Sequence, residues 1–119
     1  MQNDWIILGA NLRLTASSPE QVAINIKEYA QKRAHLPKGK SMGCVFKNPP
    51  NATAGKLIEG AGLKGLRIGG AVVSDMHANF ILNDGGARSA EIKSLITLVK
   101  NAVYAQYRLW LEEEIRYLD

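Results

Sequence analysis

The period of apolar positions changes several times along this chain, and each change marks an expected element. Residues 5–14, WIILGANLRL, are apolar with some alternation, the pattern of a strand. Ser18, Pro19 and Gln21 then spell a helix start: an N-cap hydroxyl, a proline at the first helical position and an amide able to close a capping box. Val22, Ile26, Tyr29 and Ala30 share one face of that helix, which should end near Arg33 because Pro37 and Gly39 follow. Residues 38–50 read as a loop with Val45-Phe46 as a short strand inside it, stopped at Pro49-Pro50 because proline donates nothing to a ladder. A short helix is expected over 54–59, with Leu57, Ile58 and Ala61 as its apolar face and Gly62 as its stop. Residues 66–74 read as a strand interrupted at Gly69-Gly70, where paired glycines signal a bulge or a close backbone approach. Residues 79–83 form a further strand, Asp84-Gly85-Gly86 a turn, and Ser89 caps a long helix with Glu91 in its first turn. Ile92, Leu95, Ile96, Val99 and Val103 are its buried stripe, and part of 109–118 closes the chain as a strand.

That order, β-α-(β)-α-β-β-α-β, predicts an α+β fold in which a small, mostly antiparallel sheet packs with two to three helices. The 119 residues fit one compact domain over 1–119, long enough to bury a core without disulfides or metal. A single cysteine excludes an internal disulfide and any CxxC metal site, and it suits a reducing compartment. No apolar run is long enough to span a membrane, and residues 5–14 begin too early, without the basic lead-in of a signal peptide. The expected location is the cytoplasm. The net charge of +4 is mild; its densest stretch is residues 32–40, with Lys47 just beyond. A nucleic-acid domain shows a stronger basic face with interleaved aromatics, so nucleic acid is not the expected partner. A small anion such as a diphosphate needs only a few placed cations.

Four groups are candidates for chemistry. Cys44 sits in GKSMGCVFKNPP, a glycine-flanked stretch that delivers a thiol, a cation and an amide to one place. The thiol is either a nucleophile or proton donor, or a small buried hydrophobe. His77, in MHANF, is either half of a Cys-His pair or a hydrogen-bonded structural residue; with no partner at ligand spacing, it does not suggest a metal. Glu112, Glu113 and Glu114 are a solvated rim or, if the segment is a strand, alternate faces, so that Glu113 points away from the other two. One of them could then enter a pocket, where desolvation would keep the carboxyl protonated; Arg116, on the face of Glu114, would oppose that. Lys47, Asn48 and Arg33 suit phosphate or carboxylate, or are surface charge and a turn residue before Pro49. No GxGxxG or Walker loop is visible.

Three stretches together, SMGCVFKNPP, AGKLIEGAGLKGLRIGGAVVSDMHANFILN and LEEEIRYL, closely resemble the carboxy-terminal part of the UDP-N-acetylenolpyruvoylglucosamine reductase family, also called UDP-N-acetylmuramate dehydrogenases. The resemblance covers nearly the whole chain. It implies part of a bacterial cytoplasmic flavoenzyme of peptidoglycan precursor synthesis, and so of cell-wall biogenesis, cell shape and division. In that family NADPH reduces bound FAD, hydride passes from the flavin to C3 of the enolpyruvyl ether of UDP-N-acetylglucosamine, and a proton reaches C2. The resemblance places Cys44 where most members carry a serine proton donor. A thiol is the stronger acid and gives up its proton more readily, provided that it starts protonated. LEEEIR matches the motif of the family's catalytic glutamate and picks Glu114, with Glu113 standing where the family has proline. Asn48 matches a contact to the substrate diphosphate, Arg33 a further phosphate-side cation, and Lys47 belongs to the motif without a defined role. Gly69, Gly70 and His77 match positions read as structural.

The same resemblance implies flavin-binding domains as partners, with a further catalytic arginine, and nothing in these 119 residues resembles them. The expectation is therefore a substrate-binding and proton-donating domain that binds no FAD or NADPH by itself and is inactive alone. Two other readings stand beside it: a non-catalytic module that holds a UDP-sugar or a partner chain, and a thiol hydrolase using Cys44 and His77.

Overall fold

The computed structural model describes residues 6–118, and the chain divides into two units, Met1–Ala34 and His35–Asp119. In the first unit, helix α1 (Pro19–Arg33) begins as its sequence specifies. Ser18 Oγ accepts the Gln21 N–H at 3.2 Å and Pro19 opens the first turn. The second half of the expected capping box is not made: the Gln21 side chain donates to Asn25 Oδ1 at 2.9 Å, one helical turn along. The expected strand over 5–14 is not formed among the described residues 6–14 (Trp5 lies outside them). A strand needs a neighbour to take its N–H and C=O groups, and the described residues of this unit offer none. Ile6, Ile7, Leu8, Leu12 and Leu14 are all exposed, as are Val22, Ile26 and Tyr29 on α1.

The second unit is an antiparallel four-stranded sheet with two helices. Its elements are β1 (Lys40–Cys44), α2 (Ala54–Gly60), β2 (Arg67–Ile68), β3 (Ala71–Val73), β4 (Phe80–Asn83) and α3 (Ser89–Tyr107). The sheet order is β1-β4-β3-β2. The α+β class expected from the sequence is the class observed. Three boundaries differ for physical reasons. The stretch before Cys44, read as loop, is strand β1, because β4 supplies it with a ladder partner. Gly69-Gly70 is the two-residue turn of the β2–β3 hairpin, with Ile68 opposite Ala71 and Gly69 at φ +56, the left-handed conformation such turns require. The close approach expected there is real at Gly70, where a Cβ would stand 2.5 Å from the Ala87 backbone nitrogen. The N-cap of α3 is Arg88 rather than Ser89, and the contact made there is the reciprocal one: Glu91 reaches back to accept the Arg88 N–H at 3.0 Å.

The core lies between the sheet and the helices. Leu95, Ile96, Val99 and Val103 form the buried stripe of α3, and Ile92 is half-buried beside it. Ala71, Val73 and Ile81 come from the sheet, Ile58 from α2 and Leu111 from the closing segment. Each fully buried Leu, Ile or Val contributes about 1.5–3 kcal/mol, enough for this face to order the unit. Val45 and Phe46 continue from β1 into that core. Residues 109–118 were expected to be partly strand. Among the described residues the pairing is one isolated bridge, Phe46 opposite Glu113, bounded by Lys47 N–H to Glu112 O at 2.9 Å and Glu114 N–H to Val45 O at 2.8 Å. Pro49-Pro50 prevents a longer ladder.

Candidate functional site

Cys44 is the last residue of β1, and the backbone before it is bent. Ser41 faces Leu82 and Cys44 faces Phe80, so three steps on β1 match two on β4: a β-bulge. Gly43 sits within it at φ +83, with open space where a Cβ would be. The left-handed backbone therefore requires glycine here, rather than any crowding. Bulges re-aim the side chain that follows them, and the one that follows is Cys44. The glycine beside the cysteine was visible in the sequence; that it re-aims a strand residue was not.

The segment after the thiol is clamped by a residue that the sequence reading missed. Asn79 is 3% exposed. Its backbone carbonyl accepts the Val45 N–H at 2.8 Å, its Oδ1 accepts the Phe46 N–H at 2.9 Å, and its Nδ2 donates to the Phe46 carbonyl at 2.9 Å. The side chain thus stands in for a strand neighbour that β4 does not extend far enough to provide. The sequence signal was slight: an asparagine between alanine and phenylalanine at a strand entry.

Two clefts meet at Cys44. One, of about 290 Å³, runs between α2 and the turn before β4 and is lined by Cys44, Asn48, Lys56, Lys64 and His77 among others. The other, of about 240 Å³, is lined by Met42, Cys44, Glu114 and Ile115. Burial pushes the Cys44 thiol above its usual range, the Glu114 charge adds to this, and a hydrogen bond from Asn79 partly opposes it. Cys44 is exposed, and an ordinary thiol is already mostly S–H at neutral pH; these effects act in the same direction, which suits a proton donor and works against a thiolate nucleophile.

The expected alternation of the three glutamates is present. Glu112 is exposed and pairs with Lys47. Glu113 is turned the other way and binds Lys100 at 2.9 Å. Glu114 is exposed beside Cys44 rather than enclosed in a pocket, and among the described residues Arg116 makes no ion pair with it. Asn48 has a structural task as well: its Oδ1 accepts the Ala54 N–H at 3.0 Å and caps α2, together with Thr53 Oγ1, which accepts the Lys56 N–H at 3.4 Å. Its amide nitrogen makes no hydrogen bond to the described residues. Arg33 is exposed in the last turn of α1, in the first unit, and is described there alone.

His77 lines the larger cleft, but its Nδ1 accepts the Asn79 N–H at 3.2 Å and its ring lies 5.0 Å from that of Phe80. No hydrogen bond joins it to Cys44 among the described residues, so the geometry gives the hydrolase reading no support. Among the described residues no cluster of His, Cys, Asp or Glu could hold a metal ion, and no helix is long and apolar enough to cross a membrane.

Comparison with known proteins agrees with this architecture. A family model described as the UDP-N-acetylenolpyruvoylglucosamine reductase C-terminal domain matches residues 33–118. The chain is similar to the UDP-N-acetylenolpyruvoylglucosamine reductase of Syntrophobacter fumaroxidans, 49% identical over 97% of this chain and 34% of the relative. It is also similar to that of Chloroflexus aggregans, 44% identical over 93% of this chain and 38% of the relative. The crystal structure of the Thermus caldophilus reductase superposes with a TM-score of 0.68 at 40% identity, over 88% of this chain and 38% of that one. The chain thus spans little more than a third of the length of these relatives. With a matching family model over most of its length and close relatives across nearly all of it, the chain belongs to the family of UDP-N-acetylenolpyruvoylglucosamine reductase carboxy-terminal domains.

Proposed function

We propose that this chain is the substrate-side domain of a UDP-N-acetylenolpyruvoylglucosamine reductase and that Cys44 delivers the proton that completes reduction of the enolpyruvyl ether to UDP-N-acetylmuramate. The observation that carries the reading is a protonated thiol, aimed by a bulge, at the meeting of two clefts and next to a carboxylate. In the step proposed, the S–H bond breaks and a C–H bond forms at C2. The electron pair comes from the enolate-like carbon, and a thiolate remains. In this reading Glu114 helps stabilise or protonate that intermediate only in its protonated form, since as a carboxylate it would repel an enolate-like carbon. Asn48 offers its two amide N–H donors to the diphosphate. Lys47, already paired with Glu112, is a weaker phosphate ligand than a free cation. Arg33 stands as a phosphate-side cation on the resemblance alone.

FAD and NADPH, in this reading, belong to the rest of a complete enzyme, where they supply the hydride. The described residues do not fit either group. Gly43 is committed to a bulge and Gly69 to a hairpin turn, and no glycine-rich loop opens a helix onto a phosphate. The flavin-binding domains are therefore the partner, and the bacterial cytoplasm and peptidoglycan synthesis the setting.

A titration of the chain with UDP-N-acetylmuramate, followed by amide NMR, tests the reading. Shifts are expected at Cys44, Asn48 and Glu114. Binding confined to other residues would favour a non-catalytic UDP-sugar module, and saturating ligand without shifts would remove the substrate role from this chain. In a complete enzyme carrying this domain, Cys44→Ser should remain active, while Cys44→Ala should lose about 10²–10⁴-fold, the usual contribution of a general acid.

A further inference from the structure

Glu114 makes no hydrogen bond or ion pair through its side chain among the described residues, so its place beside Cys44 depends on its backbone. That backbone is held on one side by the single bridge to Phe46. The bridge and the Glu114 N–H to Val45 O bond at 2.8 Å fix the backbone register there, but they do not set the direction of the Glu114 side chain. The other constraint is the neighbouring residue. Glu113 points toward α3, where Oε1 accepts from Lys100 Nζ at 2.9 Å and Oε2 accepts from the Tyr117 hydroxyl at 2.7 Å. Both carboxylate oxygens are therefore used, and the Lys100 and Glu113 side chains are only 19% and 23% exposed.

The partners of Glu113 are themselves held. Lys100 Nζ lies 5.4 Å from the centre of the Trp110 ring, and Lys93 Nζ lies 4.7 Å from that of Tyr117. The protonation states suit the arrangement. The Lys100 and Tyr117 hydrogen bonds hold the Glu113 carboxyl below its usual range. Burial, then the hydrogen bond and charge of Glu113, push the Tyr117 phenol up to about 12. Glu113 is thus a carboxylate and Tyr117 a phenol throughout the neutral range. The clasp joins α3, the closing segment and the residue between Glu112 and Glu114.

We propose that Glu113, clasped by Lys100 and Tyr117, is the positioning residue that sets the distance between the Glu114 carboxylate and the Cys44 thiol. The inference rests on the reading of Cys44 and Glu114 as the proton-delivery pair, but its test concerns geometry alone.

The test is the pH profile of Cys44 alkylation by iodoacetamide in the full chain. Replacing Glu114 by Gln removes a negative charge next to the thiol, so the titration midpoint should fall. Tyr117→Phe changes no charge near neutral pH and breaks one arm of the clasp; Glu113→Gln weakens both. Each should lower the midpoint, with Glu113→Gln moving it roughly half as far as Glu114→Gln or more, since a nearby opposite or like charge dominates such shifts at short range. In the Glu114→Gln background the same two substitutions should do nothing further. Two results overturn the proposal. One is a midpoint that Glu114→Gln moves and the clasp variants do not. The other is a clasp effect that persists without Glu114, which would mean that Glu113 acts on the thiol directly. Amide spectra of each variant show whether the fold is kept, and Tyr117→Phe, at an exposed residue, is the variant that keeps the test open if Glu113→Gln unfolds. The proposed substrate role stands or falls separately, on the UDP-N-acetylmuramate titration.

Discussion

Replacing Asn79 by Ala should unfasten the backbone behind Cys44 more than any other single side-chain deletion in the site. Asn79 makes two side-chain hydrogen bonds, both 2.9 Å, to the N–H and C=O of Phe46, a residue 2% exposed. The alanine variant keeps the backbone bond from Val45 and loses these two. A buried backbone group left without a partner costs about 1–3 kcal/mol. Two such groups would cost about 2–6 kcal/mol if neither found water, and the lost desolvation of the amide offsets part of that. The expected loss is about 2–4 kcal/mol. The assay is urea unfolding of the chain, read by tryptophan fluorescence and far-UV circular dichroism. With a slope of about 1–3 kcal/mol/M for a chain of this size, the midpoint should fall by roughly 0.7–4 M at unchanged slope. Asn79→Asp keeps the acceptor but loses the donor and puts a charge against the Phe46 carbonyl, so at neutral pH it should lose at least as much. A loss below about 1 kcal/mol for Asn79→Ala would refute the reasoning, since it would mean that solvent already satisfies the Phe46 backbone.

Three further outcomes follow from the geometry. The alkylation of Cys44 should titrate above the free-cysteine value of about 8.5, because burial first and the Glu114 charge second disfavour the thiolate; a midpoint at or below that value would refute these causes, and one below neutral pH would remove the proton-donor argument. Glu91 and Glu113 both titrate lower in the folded chain, Glu91 through the Arg88 and Gly70 backbone N–H groups first and Glu113 through Lys100 first. The folded chain thus binds fewer protons than the unfolded one just below the ordinary glutamate pKa, so stability should be full above that value and fall as the pH drops toward the native values; Glu91→Gln should flatten the acid limb in pH-dependent urea curves. Gly70→Ala places a Cβ 2.5 Å from the Ala87 nitrogen and 2.8 Å from its Cα, both backbone atoms that cannot rotate away, and should cost about 1–3 kcal/mol by thermal unfolding.

Local signals carried much of this protein unaided. The Ser18-Pro19 helix start, the apolar stripe from Ile92 to Val103 and the alternation of Glu112, Glu113 and Glu114 are each set within a few residues, by cap chemistry, helical period or strand period. The three motif stretches likewise specified the family. Pairing was decided only in three dimensions. Whether residues 40–44 are loop or strand depends on β4 lying beside them, some forty residues on, and the strand expected over 5–14 lacks such a neighbour in its unit. The bulge at Gly43, the Asn79 clamp and the Lys100–Glu113 arm of the clasp join residues more than ten positions apart, where no periodicity reaches. The acidity of Cys44 belongs to the same class. The sequence supplied a thiol that is S–H at neutral pH in any case, but partial burial and a carboxylate seventy residues away determine that its pKa is raised and not lowered, because desolvation and charge act through space and not along the chain.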